Sequence, residues 1–103
     1  MYGRCAVSVV DQKIENEKQI CSKAADELLN INAVDASFVI YPLGEKMCIS
    51  ARSLGQINVQ LIMEKLGGGG HLTMAAAQLK CDCNEARNKL FAAIDEYKKE
   101  SEK

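Results

Sequence analysis

Four consecutive glycines, Gly67 to Gly70, run directly into His71, the single histidine of a 103-residue chain. Glycine loses more backbone freedom on folding than any other residue, so ordering such a run is costly. One glycine, Gly67, is enough to stop the preceding helix in a left-handed conformation. The remaining three can let one backbone pass close to another, as in a tight helix-to-strand crossing. They can also leave bare main chain on which a flat or charged ligand lies, with successive N–H groups forming a concave anion nest. His71 would then donate to a phosphate oxygen or pack against a base. The ordering cost exceeds what a helix stop requires, which favours the ligand. Gly67, Gly68, Gly69, Gly70 and His71 are therefore candidate substrate-binding residues.

Two familiar glycine motifs are excluded. A Walker A loop needs a Lys-[Ser/Thr] pair after its last glycine, and none follows here. A dinucleotide fingerprint, counted from Gly67 or Gly68, meets Leu72 or Thr73 where its third glycine belongs. The run also ends a helix, whose C-terminal dipole repels anions. A short helix starting near Leu72 would supply a favourable N-terminus on the far side.

A second group lies in ISARSLG, residues 49–55. Ser50 and Arg52 are two apart on a strand and share one face. The planar arginine fork matches phosphate oxygens, although an arginine in a plain surface ion pair fits the spacing equally. Ser53 falls on the loop feeding the next helix. Arg52 and the glycine run flank that helix at opposite ends, so they meet only if the run folds back over the sheet.

Five cysteines, an odd number, follow no secretory leader, and reduced thiols in a cytosolic compartment are expected. Cys5, Cys21 and Cys48 fall at core positions. Cys81-Asp82-Cys83 lacks the second half of a metal site and reads as structural. A net charge of −1 excludes a bulk electrostatic grip on nucleic acid. No apolar run approaches the ~20 residues of a membrane span, so no membrane contact by this domain is expected.

The elements that must position these residues follow from periodicity. Residues 4–10 read as a buried strand and 14–29 as an amphipathic helix. Residues 36–41 and 46–51 read as a hairpin, with Pro42 and Gly44 in its turn. Residues 58–66 read as a helix capped by Asn58, and 76–81 as a strand. A last helix, capped by Asn84, carries Ala86, Leu90, Ala93, Ile94 and Tyr97 on one side. The fold class is α/β (α+β): a single domain with a mixed β-sheet, order β-α-β-β-α-β-α, and helices packed on the sheet.

Residues 49–79, with Ser-x-Arg-Ser, the glycine run, His71 and the small residues after it, resemble the DHH-associated domain at the C-terminus of DHH-family phosphoesterases. The string is most similar to that of the Gram-positive cyclic-di-AMP phosphodiesterases. The resemblance implies a fragment of a longer manganese-dependent enzyme, cytoplasmic although the parent is membrane-anchored. It implies contacts from Gly67 to Gly70 and His71 to a nucleotide or cyclic dinucleotide, with Arg52 near a phosphate and Ser50 and Ser53 in support. The partner would be a DHH domain of the same polypeptide, and a homodimer of the full-length protein is allowed. A DHH motif needs adjacent histidines, which a chain with one histidine lacks. No catalytic residue, metal ligand or cofactor is thus expected in this domain, manganese belonging to the DHH half. Two other functions fit the element order: a small-ligand regulatory module of ferredoxin-like fold, and a structural interface domain.

Overall fold

The computed structural model describes residues 5–10, 23–27 and 34–101. Its elements are β1 (Cys5–Val9), a helical stretch at 23–27 (α1), β2 (Ala36–Leu43), β3 (Lys46–Ser53), α2 (Val59–Lys65), β4 (Gly69–Gly70), β5 (Met74–Leu79) and α3 (Cys83–Ser101). The five strands form one mixed sheet in the order β1-β2-β3-β5-β4. The α+β class and the expected element order stand. The remainder of the helix expected over 14–29, with Cys21, lies outside the described residues.

β1 and β2 are parallel and adjacent, while every other pairing is antiparallel. A ferredoxin-like sheet splits its βαβ unit with an intervening strand, so that architecture does not apply. Nor do the helices share one face. Phe38, Ile40 and Ile49 point to the side covered by Ile62 and Met63 of α2 and Leu90 and Ile94 of α3, all fully buried. Each such side chain contributes roughly 1.5–3 kcal/mol through burial. The alternate positions, Val39, Tyr41 and Cys48, pack on Ala25 of α1 instead.

Three expectations change in detail. Pro42 is not in the turn. β2 continues to Leu43, which pairs with Lys46, and the turn is Gly44-Glu45, with Gly44 at φ +63°. A two-residue turn requires a positive φ that glycine supplies without strain. Pro42 then falls at a non-hydrogen-bonded pair, where its missing N–H faces away from β3. On its other side the ladder to β1 ends with the Val10 N–H donating to Ile40 O at 2.8 Å, and Pro42, which has no N–H, falls where the next bond would form. The cap of α3 is Asp82 rather than Asn84, because Asp82 Oδ1 accepts the Glu85 N–H at 2.8 Å. The fifth strand spans 74–79 rather than 76–81, and the glycines supply a short strand, β4, that periodicity did not indicate.

With seven residues, α2 is too short to persist alone. Asn58 caps it as expected, its Oδ1 accepting the Leu61 N–H at 3.3 Å. α3 clamps both ends. Tyr97 Oη accepts the Asn58 N–H at 2.9 Å, and Lys65 Nζ reaches Glu96 at 3.3 Å and Glu100 at 2.8 Å.

Candidate functional site

The glycine run divides by role. Gly67, at φ +83°, donates its N–H to Glu64 O at 3.1 Å, and Gly68 donates to Met63 O at 2.8 Å. Together these bonds form a Schellman stop. A Cβ on Gly68 would lie 2.1 Å from Ala76 O, inside the backbone of β5. A Cβ on Gly70 would lie 2.5 Å from Ala75 Cα, and its φ of +149° disfavours any side chain. Close passage of two backbones therefore accounts for Gly68 and Gly70. Gly69 is different. Its φ is ordinary and a Cβ there would meet nothing within 4 Å. Neither helix stop, turn nor packing requires a glycine at 69.

The expected anion nest does not form. The N–H groups of Gly67 and Gly68 serve the helix stop, and that of His71 bonds Met74 O at 2.6 Å. Antiparallel alternation turns the Gly69 N–H to β5 and leaves that of Gly70 at the free sheet edge. No helix starts at Leu72. Leu72 and Thr73 form the turn between β4 and β5, so the favourable dipole is absent too.

The run does fold back over the sheet, as a meeting with Arg52 requires. Gly69 pairs with Ala76, which pairs with Ser50. One step along, His71 is bonded to Met74, which pairs with Arg52. Gly69, His71 and Arg52 thus share one sheet face, the glycine run and β3 lying two strand spacings apart, about 9.6 Å. β5 supplies the floor, its even positions Met74, Ala76 and Gln78 exposed and its odd positions buried. α1 covers this face over β2 and β3 but leaves β5 and β4 open, and Leu72 and Met74 add exposed apolar surface beside His71.

Arg52 Nε donates to Asp26 Oδ1 at 3.0 Å, and Nη1 donates to Ala51 O at 2.8 Å. The ion pair weighed from the sequence exists, and it holds the guanidinium at the border of the open face. The two serines are less accessible. Ser50 shares the face but is buried. Ser53 points to the opposite face, where Oγ donates to Leu72 O at 3.3 Å and accepts the Gly55 N–H at 3.1 Å. Ser53, the last residue of β3 rather than part of the following loop, fastens the β4–β5 turn, and with it His71, to the end of that strand, while the Val59 N–H at the start of α2 bonds the same Leu72 carbonyl at 3.1 Å. The exposed floor residues Met74, Ala76 and Gln78 escaped the sequence reading, because three alanines in a row do not tell the exposed face from the buried one.

Cys5 and Cys48 are buried, as expected. Cys81 and Cys83 are unpaired and half-buried. Desolvation first, then the Glu85 carboxylate, pushes the Cys81 thiol up. Among the described residues no three His, Cys, Asp or Glu side chains converge to hold a metal ion. These residues do not fit a manganese site. No described helix is long and apolar enough to cross a membrane.

Residues 3–100 match the model of the DHHA1 domain. The chain belongs to the DHHA1 domain family. Over 80 residues, 76% of this chain, it is 59% identical to the cyclic-di-AMP phosphodiesterase PdeA of Listeria monocytogenes. Over 90 residues, 81% of this chain, it is 51% identical to the cyclic-di-AMP phosphodiesterase GdpP of Bacillus subtilis. These matches take in 12% and 14% of the relatives' lengths, so the chain corresponds to a small part of each. Among solved structures, an exopolyphosphatase-related protein from Bacteroides fragilis superposes with a TM-score of 0.80 at 22% identity, over 97% of this chain and 31% of that one. That likeness establishes the fold alone.

Proposed function

We propose that this DHHA1 domain is the substrate-holding part of a phosphodiesterase that hydrolyses cyclic di-AMP, or a related short nucleotide, to a linear dinucleotide. It binds the nucleotide and leaves hydrolysis to a manganese-bearing DHH domain of the same polypeptide. The observation that carries this reading is Gly69, a glycine no structural role demands, lying bare on the open face that also presents Arg52 and His71. A nucleobase would lie across Gly69 and Ala76 with Met74 and Leu72 at its side. Arg52 and His71 then stand at one end of the trough, where a phosphate would sit. Ser53 acts through the backbone it fastens. The identity to PdeA and GdpP supports cyclic di-AMP as the substrate class.

The test is a titration of the chain with cyclic di-AMP and with pApA, followed by amide chemical shifts. Shifts centred on Gly69, Gly70, His71 and Arg52 are expected. Shifts centred elsewhere would favour a regulatory module, and silence at millimolar ligand a structural interface domain. In the full-length enzyme, His71→Ala should impair turnover while the domain stays folded, because the ring is exposed. Loss of the fold would make His71 structural.

A further inference from the structure

Two lysines stand at the opposite end of the same open face. Lys46 opens β3 and Lys80 follows β5 by one residue, so both lie just past the last ladder pair, Met47–Leu79. Neither lysine forms an ion pair with a described residue, although Glu45 lines an adjoining groove with both. Both are exposed and line a groove of about 410 Å³ together with Gly67, Gly68, Ala76 and Gln78. Two ammonium groups without an ion pair thus converge on one groove, a setting that draws an anion.

We propose that Lys46 and Lys80 form a second anion subsite, so that the open face takes a ligand carrying phosphates at two separated points. This rests on the seat at Gly69 assigned above. The lysine pair lies six residues along the strands from the Arg52–Met74 row that holds the first phosphate, about 20 Å at the backbone. Lysine side chains leaning back along the groove shorten that gap to the scale of a dinucleotide. One phosphate lies at the Arg52–His71 end and the other at the lysines, with Gln78 between them to meet a base edge.

The test compares pApA, which carries two phosphates, with AMP, which carries one, on the full chain. Lys46→Met and Lys80→Met keep most of the unbranched stem and remove the charge. Each should weaken pApA binding about five- to tenfold and reduce its salt dependence by about one unit of slope. AMP binding at the Gly69 end should stay unchanged, and thermal stability should hold or rise as the repulsion is relieved. Equal loss for AMP and pApA would indicate a diffuse field and overturn the subsite. Unchanged pApA affinity or salt slope would overturn it as well. If instead Gly69→Val leaves pApA binding intact while the lysine variants lose it, the seat at Gly69 fails and the lysine subsite survives. Silence with pApA at millimolar concentration overturns both.

Discussion

Four identical residues in sequence turn out to be four different physical problems. Gly67 answers a helix end, Gly68 a backbone contact, Gly70 a contact with a left-handed φ, and Gly69 none of these. Substitutions at neighbouring positions should therefore part company. Gly68→Ala drives a methyl into Ala76 O and should cost about 2 kcal/mol or more of stability, read as a lower urea midpoint. Gly69→Val puts a β-branched residue on an edge strand with open space above it, and its stability should change by less than about 1 kcal/mol. The same variant should lose at least about tenfold in nucleotide affinity, ~1.4 kcal/mol, because the branched side chain stands where the ligand lies. Unchanged affinity in a folded Gly69→Val protein would remove the bare-backbone argument. A second residue-scale consequence concerns Cys5. Burial raises its thiol above the ordinary value, so on raising the pH the unfolded chain surrenders this proton first. Stability is full below the unfolded thiol pKa of about 8.5 and declines as the pH climbs through it. Denaturation midpoints between neutral and alkaline pH should fall less steeply for Cys5→Ala than for the parent chain. Parallel slopes would show that the thiol is not linked to folding.

At the scale of elements, α3 starts where a charge meets a free N–H. Asp82 Oδ1 accepts from Glu85, and Glu85 follows its cap by three residues, as in a capping box. Asp82→Ala should cost about 1 kcal/mol of stability, while Asn84→Ala should stay within ~0.5 kcal/mol; thermal melts of the two variants decide between the caps. Why the sequence suggested Asn84 is clear: both residues are N-cap types, and only the hydrogen bond distinguishes them. Long elements with a clear period, such as β2, β3 and α3, were legible because apolar spacing encodes the buried face directly. β4 was not, since two glycines carry no period and pair only because β5 lies beside them. Pro42 misled for a similar reason. Its turn preference is local, whereas its place in β2 depends on where the ladder to β1 stops. In the site, residue types were legible and their meeting was not. Arg52, Gly69 and His71 converge only through the register of β5 between them, and register is a property of the whole sheet. Lys46 and Lys80, far apart in sequence, become neighbours by that same register.

At the scale of the molecule, the two sheet faces are treated unequally. One carries the closed core under α2 and α3; the other is covered by α1 over β2 and β3 and left bare over β5 and β4. An open face with cationic groups at each end suits holding a phosphorylated ligand, but holding is not hydrolysis. Two-metal hydrolysis needs carboxylates and histidines gathered within a few ångströms of one another. Among the described residues no three such groups converge, and several acidic ones are engaged elsewhere. Asp26 is paired with Arg52, Asp82 caps α3, Glu85 meets Lys89, and Glu96 and Glu100 share Lys65. The chain incubated with cyclic di-AMP and millimolar manganese should therefore leave the cyclic ligand intact, with no linear pApA by chromatography above a protein-free control, even at concentrations where amide shifts report occupancy of the Gly69 face. Adding a purified DHH half from a relative in trans should restore turnover only if the held ligand is presented to it, and His71→Ala should then reduce that restored rate. Hydrolysis by the chain with manganese alone would mean that the acidic groups regroup around a metal, and the separation of holding from cutting would fall.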